Sequence, residues 1–257
     1  MSQLAWLNQK LLSYEEANLD TAGWPTGSGT FETIKTVDCL PWALSRHMRR
    51  ALNTARRNDH PFPTEELTRR AVTESIAANP FATGRLRILF GDDGGLCVTH
   101  QEYLEVSKSA NLGIRNHSQE ANGIVEKRYP YIENLQILRD AQSQGFDDFL
   151  LINSQRYVTE TAIANLVFQI DDLWVTPPLS DGVLPGVMRA LLIEKAGVSV
   201  RQIKADQVQL VTSGFIVSSL KIAQPIAQIN GRDLQISKES EQMRSLFAAT
   251  ALATSVG

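Results

Sequence analysis

Apolar positions in the first half of the chain recur with two different spacings. Residues 41–57 carry them three or four apart, as in an amphipathic helix, at Leu44, Met48, Ala51, Leu52 and Ala55. Residues 64–78 predict a second helix, with Thr64 as its N-cap. Strands are predicted where short apolar runs or alternation occur, at residues 31–37, 85–90 and 95–99, the last two as a hairpin.

The middle of the chain suggests a domain boundary. A third strand is predicted near residues 103–108, after the hairpin. Residues 110–123 are polar and rich in Asn without clear periodicity, so we interpret them as the connection between domains. This interpretation gives a small N-terminal α/β domain at residues 1–112 and a larger C-terminal domain at 113–257. Residues 1–30 are polar, with turn signals around Gly23 and Gly27.

The second half alternates strand and helix patterns. Helices are predicted from Leu135 up to Gly145, and over residues 185–195. Predicted strands are short and apolar, at residues 149–152, 157–159, 173–176 and 216–218. The pattern as a whole predicts an α+β, or mixed α/β, fold in two domains.

Composition gives no support for several function classes. Of the 257 residues 43% are hydrophobic and 21% charged, as in ordinary globular proteins, and the net charge of −3 gives no argument for nucleic acid or membrane as a partner. No apolar run approaches the roughly 18 residues of a membrane span, and no signal peptide is evident, so we expect a cytoplasmic protein. The two cysteines, Cys39 and Cys97, form no CxxC pair and are expected to be buried thiols.

Several common catalytic motifs are missing from the sequence. The four histidines show no metal-ligand spacing, so no metal is expected. There is no GxSxG nucleophile elbow, no GxGxxG fingerprint and no Walker loop.

Six short segments nevertheless stand in a specific order. They begin at Gly27-Ser-Gly-Thr-Phe-Glu-Thr33 and continue with Lys127-Arg-Tyr-Pro-Tyr131, Asn134 before its helix, Tyr157-Val-Thr-Glu160, Asn165-Leu-Val-Phe168 and Leu184-Pro-Gly-Val-Met-Arg189. This ordered set resembles the fold-type IV pyridoxal-phosphate enzymes, the class IV aminotransferase family, over residues 27–233. The resemblance implies two domains with pyridoxal 5'-phosphate (PLP) in the cleft between them, a small-molecule substrate and a homodimer.

Two residues carry the chemistry that the resemblance implies. Lys127 occupies the place of the lysine that binds the cofactor aldehyde and later moves protons; taken alone, a lysine is usually a solvated surface charge. Glu160 ends an apolar strand and would keep the pyridine nitrogen of the cofactor protonated, whereas its plain alternative is a carboxylate in water.

Phosphate ligands are expected in three places. The helix start at Gly186 offers free backbone N–H groups and the positive end of a dipole, unless it is a plain helix beginning after proline. The resemblance assigns the phosphate to the N–H groups of Val187 and Met188, and to Ser219 and Leu220 in the segment Ser218-Ser-Leu. Arg50 matches the arginine that reaches the phosphate from the first domain, with Arg49 and Arg46 as neighbouring alternatives.

Substrate contacts are less well defined by the sequence. Thr33 follows the Phe-Glu pair of a strand that lines the cleft in the family, and Tyr131 would line the cofactor or substrate pocket. Arg87 lies in an otherwise apolar strand and is a candidate carboxylate ligand, with a solvent-facing arginine as the alternative. Relatives often carry Arg-Gly at the end of this strand, where this chain has Gly91-Asp92.

Three functions are compatible with these segments. Ser218-Ser-Leu followed by Pro225 is closer to the form found in aminodeoxychorismate lyases than to that of aminotransferases. Tyr131 favours instead an aminotransferase for branched-chain or D-amino acids, several of which have Asn-Tyr there. A non-catalytic relative is the third alternative, against which the retention of both Lys127 and Glu160 argues.

Overall fold

The computed structural model describes residues 3–117 and 124–253, and these form two compact units. Within the described residues the first unit comprises 3–105 and 126–130, and the second comprises 106–117, 124–125 and 131–253. This division differs from a single cut between residues 112 and 113. The difference arises because the chain enters the second unit before residue 112 and returns to the first around Lys127.

The elements are as follows. The strands are β1 (Leu4–Leu7), β2 (Lys10–Ser13), β3 (Gly29–Val37), β4 (Leu40–Pro41), β5 (Thr83–Gly91), β6 (Leu96–Glu102), β7 (Ala110–Asn116), β8 (Arg128–Tyr129), β9 (Asp148–Ile152), β10 (Val158–Thr161), β11 (Asn165–Ile170), β12 (Leu173–Thr176), β13 (Ser199–Val200), β14 (Ser213–Val217), β15 (Gln224–Ile229) and β16 (Arg232–Asp233). The helices are α1 (Leu44–Arg57), α2 (Glu65–Ala78), α3 (Ile132–Ser143), α4 (Val187–Lys195) and α5 (Lys238–Ala253), with short 3-10 helices at Leu179–Asp181 and Ala205–Leu210.

The first unit is a seven-stranded sheet with the order β2-β1-β6-β5-β3-β4, and β8 pairs with β3. Strands β3 and β5 are antiparallel along their whole length, from Gly29 opposite Gly91 to Val37 opposite Thr83. Since side chains alternate along a strand, one face carries the apolar residues that pack with α1 and α2. That core contains Ile34, Leu86, Ile88, Met48, Ala51 and Val72.

The two helices of this unit were predicted from periodicity, and their ends show what periodicity misses. Thr64 caps α2 as expected, because its side chain accepts a hydrogen bond from Leu67 N at 3.2 Å. Helix α1 begins at Leu44, so the predicted start at Pro41 was wrong. Pro41 ends the short strand β4, and Ala43 adopts a left-handed backbone (φ 54°) that delays the first helical turn.

The second unit is a nine-stranded mixed sheet with the order β10-β9-β7-β15-β14-β11-β12-β13, and β16 pairs with β15. Strand β7 runs parallel to both β9 and β15, whereas β11 is antiparallel to β12 and β14. One face buries an apolar cluster that includes Leu112, Leu150, Leu166, Phe168 and Ile216. The mixed sheets and their helices confirm the predicted α+β, mixed α/β, fold class.

The polar first thirty residues contain two strands that were not predicted, β1 and β2, which extend the sheet of the first unit. Two sequence expectations were wrong. Residues 103–108 form no strand. The expected connection at 110–123 includes β7, whose Leu112 is fully buried, and residues 118–123 lie outside the described part. Within the described residues, no helix is long and apolar enough to cross a membrane.

Candidate active site

Lys127 lies at the edge of the first unit's sheet, immediately before β8. Its carbonyl accepts a hydrogen bond from Phe31 N at 3.0 Å, which continues the pairing of β8 with β3. Its Nζ lies 4.4 Å from the centre of the Phe31 ring, within range of a cation–π contact. The side chain is half-buried. The backbone pairing of β8 with β3 therefore fixes the position at the sheet edge from which the Lys127 side chain projects.

Gly29 makes this pairing possible through a close approach. A Cβ atom at this position would lie 2.1 Å from Phe90 O and 2.7 Å from the ring of Tyr129, which stands opposite Gly29 in the register. Only glycine leaves room for the buried Tyr129 ring here. Burial raises the pKa of the Tyr129 phenol to about 12, so the ring stays neutral. This explains in packing terms why strand β3, which carries Phe31-Glu-Thr33, begins with glycine.

Glu32 is the buried centre of a charged cluster on the helix-facing side of β3. His47 Nδ1 lies 2.6 Å from Glu32 Oε2, and Arg50 donates from Nε to Oε1 at 2.8 Å and from Nη2 to Oε2 at 2.5 Å. Burial by itself would raise the pKa of Glu32, but Arg50 and His47 outweigh it and lower it to about 2. Arg50 is thus held by a carboxylate, whereas Arg49 is exposed.

His47 is a buried member of this cluster, and the charge of Lys127 affects its pKa. Burial lowers the pKa of His47, and the positive charges of Arg50 and Lys127 lower it further, while Glu32 opposes them. The pairing of Glu32 with His47 and Arg50 was not foreseen from the sequence. The signal that could have found it is a glutamate in the middle of a core strand, because a buried carboxylate requires partners.

Thr33 and Arg87 stand opposite each other in the β3–β5 register, on the sheet face away from the helices. Thr33 is half-buried, and Arg87 is only 8% exposed, so it is not the solvent-facing arginine that was the alternative. Arg87 Nη1 donates to Ala22 O at 2.7 Å. Burial lowers the pKa of Arg87 to about 10, which leaves its guanidinium charged at neutral pH.

Glu160 is the centre of a second group of residues, in the other unit. It is 8% exposed, and its Oε2 accepts hydrogen bonds from Asn165 Nδ2 at 2.8 Å and from Leu184 N at 3.2 Å. The same Asn165 amide donates to Leu184 O at 3.1 Å, so it orients both the carboxylate and the loop before α4. Glu160 is therefore not a strand-end carboxylate in water.

The start of α4 depends on a glycine that allows a close approach. A Cβ atom at Gly186 would lie 1.9 Å from Asn165 Oδ1, so any other residue would push Asn165 away. Val187 and Met188 follow in the first turn, where backbone N–H groups have no acceptor inside the helix. No side chain caps this helix. The buried helix start thus offers amide donors and the positive dipole end to an anion.

Arg189, in the first turn of α4, is a buried charged residue to which sequence reasoning assigned no role. It is 5% exposed, and its Nη2 donates to Pro177 O at 2.7 Å. Burial lowers the pKa of Arg189, while the negative charge of Glu160 raises it. The two charges therefore attract within the same buried region.

Ser219 and Leu220 lie in a tight turn after β14. Ile222 N donates to Ser218 O at 2.8 Å and Lys221 N to Ser218 Oγ at 3.2 Å, and Ile222 has a left-handed backbone (φ 54°). Tyr131 is the N-cap residue immediately before α3, and its hydroxyl donates to Ala162 O at 3.2 Å. The described residues contain no group of three or more His, Cys, Asp or Glu side chains arranged to hold a metal.

Comparison with known proteins decides the family. The model of the amino-transferase class IV family matches residues 29–229. The chain belongs to the class IV aminotransferase family. A Schizosaccharomyces pombe protein with the inferred name aminodeoxychorismate lyase is 28% identical, over 66% of this chain and 75% of its own length. A Mycobacterium tuberculosis protein named bifunctional aminodeoxychorismate lyase / D-amino acid transaminase is 24% identical, over 87% and 89%.

A solved structure shows the same fold. The PLP-bound form of a hypothetical aminotransferase from Mycobacterium tuberculosis superposes with a TM-score of 0.85 at 20% identity, covering 97% of this chain and 99% of its own. The class IV aminotransferase family depends on PLP. The donor set described above suits that group: amide N–H donors at the Gly186 helix start for a phosphate, and a fixed, buried carboxylate at Glu160 for a pyridine nitrogen.

In this class IV family member, Arg50→Ala is expected to weaken PLP affinity about ten- to a hundredfold more than Arg49→Ala. The reason is that a charge-assisted hydrogen bond to phosphate is worth about 1.5–3 kcal/mol, whereas exposed Arg49 is solvated. Titration of the apoprotein with PLP measures both variants. Glu32→Gln is the control, because it frees Arg50 from its carboxylate without removing the guanidinium. Equal or reversed affinities for Arg50→Ala and Arg49→Ala would contradict the assignment.

Proposed function

We propose that the protein is a PLP-dependent 4-amino-4-deoxychorismate lyase, which releases pyruvate and forms 4-aminobenzoate for folate synthesis. The observation that carries this choice over an aminotransferase is the Ser218-Ser-Leu220 turn, whose sequence resembles the lyase form of this segment. The name of the Schizosaccharomyces pombe relative supports it, and the name of the Mycobacterium tuberculosis relative includes this activity beside a second one. The proposal includes a homodimer that acts in the cytoplasm on a small-molecule substrate.

The proposed roles follow from the chemistry of each side chain. Lys127 holds the cofactor covalently through Nζ, and Glu160 holds a proton on its pyridine nitrogen. The amides of Val187 and Met188, the Ser219–Leu220 turn and Arg50 bind its phosphate. Bound PLP supplies an electron-accepting ring that stabilises negative charge at the carbon bearing the substrate amine.

Proton movement is assigned to Lys127. Its Nζ would take the ring proton from the carbon that bears the substrate amine, and would return a proton to the departing three-carbon group so that it leaves as pyruvate. Pyruvate then leaves as the product ring becomes aromatic, which supplies the driving force. The side chains therefore mainly have to hold the substrate in a reactive geometry. Thr33, Arg87 and Tyr131 remain the proposed substrate-side residues.

An aminotransferase for branched-chain L-amino acids or for D-amino acids is the second candidate. Tyr131 favours it, because several aminotransferases have Asn-Tyr at this place. The Mycobacterium tuberculosis relative, whose name carries both activities, supports either choice. An aminotransferase must leave the amine on the cofactor and then accept a keto acid, whereas a lyase needs one substrate only.

The deciding experiment is a single pulse of substrate without keto acid. We expect aminodeoxychorismate to give pyruvate and 4-aminobenzoate in many turnovers, with the cofactor recovered as the aldehyde. L-leucine and D-alanine, given separately, should leave the recovered cofactor largely unaminated. Stoichiometric amination by either amino acid at a turnover-competent rate, with no pyruvate from aminodeoxychorismate, would reject the lyase and leave the aminotransferase.

A further inference from the structure

A short turn before β3, residues 19–25, is built by its own hydrogen bonds. Asp20 Oδ1 accepts from Ala22 N at 2.9 Å and from Trp24 N at 2.8 Å, and Asp20 N donates to Trp24 O at 2.9 Å. Leu19 bridges to Pro25 and closes the turn. We call residues 19–25 the Asp20 turn. Its backbone fixes the position from which the Trp24 side chain projects.

Arg87 holds this turn from the sheet. Its Nη1 donates to Ala22 O at 2.7 Å, and its guanidinium carbon lies 4.0 Å from the centre of the Trp24 ring. A charged guanidinium that is 8% exposed is stabilised by such a cation–π contact, and the contact in turn restrains the indole. Arg87 thus has the contacts of a positioning residue for Trp24.

Trp24 is placed one aromatic ring away from Lys127. Its ring packs edge-on against Phe31 with centroids 4.9 Å apart, and it lies 6.2 Å from the ring of Tyr129. The Phe31 ring in turn lies against Lys127, whose Nζ is 4.4 Å from the centroid of that ring. Trp24 is only half-buried, so part of this residue remains exposed.

We infer that Trp24 is a specificity-determining residue, whose open ring surface selects a planar, unsaturated ring acid over an aliphatic amino acid. The inference rests on the proposed function and deepens it. Flat π-systems gain from offset or edge contacts with an indole beyond the area they bury, whereas a branched aliphatic chain gains only the area. In this arrangement Arg87 also positions Trp24, in addition to its proposed place among the substrate-side residues.

The test compares two unreactive probes on the PLP-loaded protein by equilibrium dialysis. The first probe is 4-aminobenzoate, and the second is 4-methylpentanoate, an aliphatic acid of similar length. We expect Trp24→Ala and Trp24→Leu to weaken 4-aminobenzoate about tenfold and the aliphatic acid by less than about threefold. Arg87→Met should reproduce part of the loss, and Trp24→Phe should retain most of the binding.

Trp42 supplies the matched control. It is also half-buried, and it also lies near a cation, Lys35 Nζ at 5.2 Å, but it stands by the far end of β3. Trp42→Ala should leave both dissociation constants unchanged. An equal loss in Trp42→Ala and Trp24→Ala, an equal loss for both probes in Trp24→Ala, or wild-type binding of 4-aminobenzoate by Trp24→Ala would overturn the inference. Trp24→Leu retains an apolar side chain without the aromatic ring, and it decides the question if Trp24→Ala fails to fold.

The outcome is separable from that of the proposed function. Borohydride labelling and pyruvate release report on Lys127 and on the lyase reaction, and neither enters the dialysis measurement. A protein that releases no pyruvate but loses selective 4-aminobenzoate binding in Trp24→Ala would reject the lyase and retain the role of Trp24. A working lyase whose Trp24 variants bind both probes with wild-type affinity would support the lyase and reject the role of Trp24.

Discussion

Lys127→Ala is expected to reduce turnover of aminodeoxychorismate by about 10⁴-fold or more while the protein still folds. Positioned proton transfer contributes roughly 10²–10⁴-fold to rates, and the proposed role of Lys127 adds covalent attachment of the cofactor to it. Folding should survive, because Lys127 is half-buried at a sheet edge and the pairing of β8 with β3 uses its backbone carbonyl. Steady-state rates and thermal unfolding of the purified variant measure the two effects.

The covalent link itself is tested by borohydride reduction of the PLP-loaded protein, followed by peptide mapping. We expect the pyridoxyl group on Lys127. Lys35 is a suitable comparison, because it lies on the same strand as Phe31 but pairs with Glu105 and stacks near Trp42. Lys35→Ala should keep the label and the cofactor. A label on another lysine, or no label, would remove Lys127 from its role.

The parts of the fold that could be predicted are those with local signals. Helix α2 follows from periodicity and the Thr64 cap, and the β5–β6 hairpin follows from its turn. Strand β7 could not be predicted in the same way. Its partners β9 and β15 lie about 35 and 115 residues further along the chain, and its Asn-rich sequence contradicts the apolar runs typical of central parallel strands.

The candidate site shows the same contrast between local sequence signals and contacts made by distant segments. The order of short segments indicated Lys127 and Glu160, but the residues that hold them are tertiary features. Gly186 is needed because Asn165 approaches it, and Arg50 is held by Glu32 from a strand. Trp24 meets Arg87 across more than sixty residues of sequence, in a turn whose composition is merely polar. Such pairs have no sequence period, and only the fold brings them together.

Glu160→Gln is expected to keep the cofactor and to lose about 10²-fold or more of the rate. Glutamine has nearly the same shape, and its amide oxygen can accept the hydrogen bonds that Asn165 Nδ2 and Leu184 N donate at 2.8 and 3.2 Å. What the variant lacks is the negative charge that would hold a proton on the pyridine nitrogen, and a neutral ring accepts electrons less well. The size of the loss follows the range for acid–base groups.

Two further variants separate charge from packing at this position. Glu160→Ala removes the acceptor as well, and leaving the buried donors of Asn165 and Leu184 unsatisfied costs about 1–3 kcal/mol each, so this variant should unfold at a lower temperature than Glu160→Gln. Glu133→Gln, at an exposed position on α3 of the same unit, should change neither rate nor stability. If Glu160→Gln turned over at the wild-type rate, the carboxylate would be a structural acceptor for Asn165 and Leu184, and the electron-accepting ring would need another acid. The comparison is informative because the hydrogen bonds around Glu160 can be kept while its charge is removed.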